Sequence, residues 1–139
     1  MLYNFNTVFC STDFQQSIKL VAGAVANLVG IQDYHSASQP RALFTLRSHS
    51  GRVNAVKWLS KNLLASVSDD GSIAVWTYTG DPRQHESWGL LHKVENAHSM
   101  SINYLTALSI SSSELYFATM CMGGTLKLWT MSSEQKDFT

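Results

Sequence analysis

The sequence predicts an all-β chain made of antiparallel meanders, and three observations carry that prediction. Stretches with a helical period are scarce. Short runs rich in Val, Ile, Leu, Trp and Tyr recur instead, separated by Gly, Ser, Asp and Asn. Two segments also carry matching residues in the same order, which marks an internal repeat.

The runs begin with Thr7–Ser11, Ile18–Gly23, Asn27–Gln32 and Ala42–Leu46. Val53–Leu59, Leu63–Ser68, Ile73–Tyr78 and Gly89–Val94 follow, then Ile102–Ile110, Leu115–Cys121 and Thr125–Met131. Each has strand length, and most gaps between them suit hairpins rather than crossovers. The longest apolar stretch, Leu20 to Ile31, is broken by Gly23, Asn27 and Gly30 and is too short to span a bilayer. The first residues, Met1 to Asn6, carry no basic segment ahead of an apolar one, so no secretory signal is expected.

Composition narrows the class. Hydrophobic residues make up 45% of the 139 and charged ones 14%, enough apolar material for a core. Ten basic residues balance ten acidic ones. A neutral chain without a dense Lys/Arg cluster has no general attraction for nucleic acid or anionic lipid, so neither a direct nucleic-acid contact nor a membrane is expected. Cys10 and Cys121 fit no metal pattern and read as reduced, packed thiols of an intracellular protein.

The repeat runs from His49-Ser50-Gly51-Arg52-Val53 through Leu64-Ala65-Ser66-Val67-Ser68-Asp69-Asp70-Gly71-Ser72-Ile73-Ala74-Val75-Trp76. Its second copy runs from His98-Ser99-Met100-Ser101-Ile102 through Phe117-Ala118-Thr119-Met120-Cys121-Met122-Gly123-Gly124-Thr125-Leu126-Lys127-Leu128-Trp129. The histidines lie 49 residues apart and the tryptophans 53. The polar stretch from Thr79 to Glu86 accounts for the extra length as a loop insertion. A weaker copy lies upstream, where Ile31 stands near the tryptophan position.

On these residues the chain resembles the WD-repeat family. That family places a Gly-His pair before the first strand of a blade, an Asp in a tight turn, and Trp-Asp at the end of the third strand. His49, Asp70 and Trp76 fit, with Ser48 for the glycine and Thr77 for the last aspartate. The second copy keeps His98 and Trp129 but has Ala97 for the glycine and Gly123 where the turn aspartate belongs. The resemblance implies a partial β-propeller of about three four-stranded antiparallel blades, at residues 1–47, 48–96 and 97–139, the third incomplete. Blades are covered on both faces by their neighbours, which suits strands apolar on both sides, such as Ile73 and Val75 against Ala74 and Trp76.

The resemblance also implies a buried hydrogen-bonded tetrad of His49, Ser66, Asp70 and Trp76, and a partial one of His98, Thr119 and Trp129. In it the aspartate accepts from turn amides and the histidine ring, and the hydroxyl accepts the indole N–H. Losing Asp70 would leave a buried histidine unpaired, at a cost of roughly 1–3 kcal/mol.

Competing chemistry is weaker. Ser66, His49 and Asp70 have the composition of a hydrolase triad, but Ser66 sits in Ala65-Ser66-Val67 without a nucleophile elbow. No H-x-x-x-H or H-E-x-x-H spacing suggests a metal, and Gly23 to Gly30 is not a phosphate loop. Asp69-Asp70-Gly71 reads as a turn rather than a pair of catalytic carboxylates. Trp58, Trp76 and Trp129 read as core, with Trp88 beside the polar loop the candidate for exposure. A non-enzyme without cofactors is expected.

Within WD-repeat proteins, the order of a degenerate first repeat, a better second and a long loop before the third is similar to the start of the Elongator complex protein 2 family. That likeness implies a cytoplasmic, and also nuclear, scaffold subunit in tRNA wobble-uridine modification, with the large scaffold and catalytic subunits of Elongator as partners. The alternative is a WD-repeat adaptor of another complex, in ubiquitination or vesicle traffic. Arg52, Asn54 and Asp69, beside the turns, are the candidate protein contacts. About two blades and most of a third leave apolar faces open, so a fragment, a truncated product or a chain needing partner blades is expected.

Overall fold

The side-chain alternation of the strands decides how the sheets stack. A computed structural model describes residues 11–33, 43–110 and 114–132. The first sheet contains β1 (Ser11–Gln15), β2 (Leu20–Val25), β3 (Leu28–Asp33) and β4 (Phe44–Arg47). The second contains β5 (Val53–Ser60), β6 (Leu63–Ser68), β7 (Ile73–Tyr78) and β8 (Trp88–Val94). The third contains β9 (Ile102–Ile110), β10 (Glu114–Cys121) and β11 (Leu126–Ser132). Each sheet is an antiparallel meander whose strands follow chain order, which makes the described chain a partial β-propeller of three blades. Among the described residues, no helix is long and apolar enough to cross a membrane.

Blade 2 is apolar on both faces because it is covered on both. One set of its side chains, including Val56, Trp58, Leu64, Ala74 and Trp76, packs with Leu20, Ala22, Val29 and Ile31 of blade 1. The alternate set, including Leu63, Ala65, Val67, Ile73 and Val75, packs with Ile102, Leu105, Phe117 and Met131 of blade 3. Period two therefore divides one sheet between two cores. Leu126 and Leu128, at the positions of Ile73 and Val75 one blade earlier, are exposed.

Several expectations need correction. β1 begins at Ser11, where the first predicted run ends, and residues 7–10 lie outside the described residues, as does Cys10. Trp88 is 9% exposed and belongs to the core between blades 1 and 2. Its indole donates to the Pro82 carbonyl at 2.8 Å, and its ring lies 5.1 Å from Tyr78 and 5.8 Å from Trp58. The inserted loop supplies the Pro82 carbonyl, while Tyr78 and Trp58 come from β7 and β5.

That loop also straps blade 2 to blade 1. Arg83 donates to the Ile18 carbonyl at 2.7 Å and pairs with Asp33 at 3.1 Å. A single 3₁₀ turn at His85–Ser87 follows, and the His85 ring meets Phe44 at 5.3 Å. Nearer the chain start, Trp58 donates its backbone N–H to the Asp13 carboxylate at 2.8 Å and its indole N–H to the Asp13 carbonyl at 3.1 Å.

Candidate functional site

The polar groups named from the sequence meet inside blade 2. β6 carries Ser66 and β7 carries Trp76 on the face toward blade 1, because Ser66 pairs with Ala74 and Leu64 with Trp76. The segment between β4 and β5 delivers His49, and the β6–β7 turn delivers Asp70. The Trp76 indole donates to Ser66 Oγ at 3.1 Å, and the same oxygen lies 2.7 Å from His49 Nε2. The other ring nitrogen, Nδ1, lies 2.8 Å from Ser72 Oγ. Ser72 in turn donates its hydroxyl to Asp70 at 2.5 Å and its N–H at 2.9 Å.

Ser72 corrects the expected arrangement. Asp70 was expected to accept directly from the ring, yet it stands 3.7 Å from Nδ1 with the serine hydroxyl between them. Sequence reasoning missed Ser72, although a hydroxyl residue two places after the turn aspartate is the signal that could have found it. The chain of donors has one consistent direction. With Asp70 ionised, Ser72 donates to it and accepts from His49 Nδ1–H. Nε2 then accepts the Ser66 hydroxyl, which accepts the indole N–H.

Electrostatics agree with that direction. Burial lowers the His49 pKa, outweighing the pull of the Asp70 charge, so the ring is held neutral. Burial alone would raise Asp70, but the Ser72 hydroxyl and the Ser72 and Ser50 amides hold it well below the usual carboxylate range. His49 and Ser66 are buried, Ser66 completely. A serine that accepts an indole N–H and lies out of solvent is placed to tie strands together, not to meet a substrate.

Blade 3 repeats half of this network. His98 Nε2 lies 2.8 Å from Thr119 Oγ1, which accepts the Trp129 indole N–H at 2.9 Å. Among the described residues, blade 1 has neither part. Ala24 pairs with Val29 and Ile31 with Ala22, so an alanine and an isoleucine stand where Ser66 and Trp76 stand in blade 2.

The candidate contact residues divide. Arg52 is exposed at the start of β5. Asn54 donates to Asp69 at 2.7 Å and to the Ile102 carbonyl at 2.9 Å, and Ser101 donates its hydroxyl to Asp69. Asn54 and Asp69 are thus joined to each other and to blade 3. Among the described residues, no group of three His, Cys, Asp or Glu side chains is arranged to hold a metal.

Residues 40–77 match the family described as WD domain, G-beta repeat. The chain is 31% identical to Elongator complex protein 2 of Danio rerio over 83% of its length, and spans 14% of that relative. It is 32% identical to Protein transport protein SEC13 of Kluyveromyces lactis over 88% of its length, covering 40% of it. The crystal structure of Saccharomyces cerevisiae Sqt1 superposes with a TM-score of 0.77 at 15% identity, over 99% of this chain and 35% of that one.

Proposed function

We propose that this chain, a WD-repeat protein with the fold of a partial propeller, serves as a non-catalytic scaffold in the Elongator complex and supports tRNA wobble-uridine modification through protein–protein contacts. The observation that carries this reading is the 31% identity to Elongator complex protein 2 across 83% of the chain. Because the chain spans 14% of that relative, the activity and partners of the whole protein come to it only as part of this proposal. The buried network supports a scaffold role, since its polar groups are spent on holding strands together. Arg52, Asn54 and Asp69 remain the proposed contact positions, with Arg52 the most accessible. Residence in the cytoplasm and the nucleus belongs to the same proposal.

A second reading is favoured by the likeness to Protein transport protein SEC13 at 32% identity over 88% of the chain. There the chain is an adaptor in vesicle traffic. Tagged chain recovered from its native cells, with mass spectrometry of the bound proteins, separates the two. Elongator scaffold and catalytic subunits are expected. Recovery of a vesicle-coat assembly instead would replace the first reading with the second.

A further inference from the structure

Blade 2 and blade 3 share a polar frame, but only blade 2 supplies its acid. The Asp70 carboxylate takes the Ser50 N–H at 2.9 Å, the Ser50 hydroxyl at 3.2 Å and both donors of Ser72. Lining up the β6–β7 turn with the β10–β11 turn places Gly123 at Asp70 and Thr125 at Ser72, while Ser99 follows His98 as Ser50 follows His49. The hydroxyls and amides recur, and the carboxylate does not.

The imidazole registers the difference. His98 is 3% exposed, and among the described residues its Nδ1 has no hydrogen-bond partner although Nε2 meets Thr119. A buried polar atom left in this state destabilises the fold. Beside it opens a cavity of about 500 Å³ lined by Asn96, His98, Ser99, Cys121, Thr125 and Lys127. Lys127 is the charged group of its lining. Burial and the nearby Lys127 charge both lower the His98 pKa, and the Lys127 ammonium is held on the Ala97 carbonyl at 2.6 Å. The Thr125 amide, with that of Gly123, holds the Cys121 thiol below its ordinary pKa.

We propose that this cavity binds a carboxylate from outside the chain, which enters beside Gly123 and takes the place that Asp70 fills in blade 2. Its oxygens accept from His98 Nδ1–H and from the donors of Ser99 and Thr125, with Lys127 as the nearby cation. An acidic side chain of a partner protein and a small free carboxylate share this chemistry. The proposal does not depend on which assembly the chain joins.

The test uses the full chain labelled with ¹⁵N at its histidines. The His98 imidazole signals are followed during titration with sodium acetate, with a capped hexaglutamate peptide, and with sodium chloride at matched ionic strength. A saturable shift of Nδ1 with acetate or peptide, and none with chloride, is expected. Affinity at least about tenfold higher for the peptide assigns an acidic protein segment, and equal affinity per carboxylate assigns a small carboxylate. An equal response to chloride, or no response to any of the three, overturns the site. Gly123→Asp supplies the acid from within the chain. A Cβ there meets the flexible Met100 Sδ at 2.8 Å and Cys121 Sγ at 3.6 Å, so the side chain can enter with a small shift of Met100. The variant is expected to lose the acetate response and to melt at a higher temperature; retention of that response also overturns the proposal.

Discussion

His49 reaches Asp70 through Ser72. The ring Nδ1 is 2.8 Å from the serine Oγ and 3.7 Å from the nearest carboxylate oxygen, and the serine lies 2.5 Å from that oxygen. One hydroxyl therefore accepts from the ring and donates to the acid, which fixes the direction of every bond back to Trp76.

Replacing that hydroxyl should unpair both neighbours. Ser72→Ala leaves His49 Nδ1 without its acceptor in a buried site and removes the shortest donor to Asp70. A loss of about 1–3 kcal/mol is expected in urea denaturation. Ser72→Thr should lose less, since Thr125 occupies the matching position of blade 3. Equal losses for the two variants would count against the hydroxyl as the link.

The turn that holds Asp70 also sets the spacing between blades. Gly71 has φ +79°, and a Cβ there would lie 2.5 Å from the His98 carbonyl oxygen. The Gly71 carbonyl itself accepts the His98 N–H at 3.2 Å. Gly71→Ala combines a left-handed backbone with a backbone clash and should cost about 2 kcal/mol or more, measured by thermal melting. A change below about 0.5 kcal/mol would mean that blades 2 and 3 are not held this closely.

Acid should weaken the fold in two stages. Burial lowers the pKa of both His49 and His98 from 6.5, so the unfolded chain takes up protons before the folded one does. Their contribution is complete well above pH 6.5 and is lost as pH falls through that value toward their depressed folded values. Asp70 has its folded pKa below 3.8, and its contribution is lost only as pH falls beneath that value. Urea midpoints at pH 7.5, 6.5 and 5.5 should therefore decline, and His98→Gln should flatten part of the slope. A midpoint constant over this range would show that both rings stay equally protonated in the folded and unfolded chain.

The β2–β3 hairpin carries a removable strain. Ala26 turns the chain at φ +49° between Val25 and Leu28, is exposed, and contributes its carbonyl to the Val53 N–H at 2.8 Å. Glycine adopts that conformation without the Cβ clash and keeps the carbonyl. Ala26→Gly should gain about 0.5–1 kcal/mol in urea denaturation, less whatever entropy the added freedom of the unfolded chain removes. A loss of stability would show that the turn is not strained.

Much of this molecule was legible because its signals are local. Ser66 and Trp76 carry one alternation of strands β6 and β7 while Val67 and Val75 carry the other, and period two alone says that both faces are buried. The match of His49 with His98 and of Trp76 with Trp129 is likewise a signal of repeat spacing. Trp88 was harder to read. Its neighbours in sequence are polar or small, and its partners Trp58, Tyr78 and Pro82 come together only when the sheet and the loop are folded.

The sequence by itself determined most of the strands and their meander order, since alternation, turn residues and repeat spacing act within or between neighbouring segments. Tertiary structure alone decided that Ser72 stands between His49 and Asp70, that Asn54 and Asp69 bond across to blade 3, and that the polar loop closes over Trp88. The reason is physical. A side chain's partner is chosen among all groups within about 3 Å once the sheets are stacked, and that distance joins residues the chain order leaves far apart.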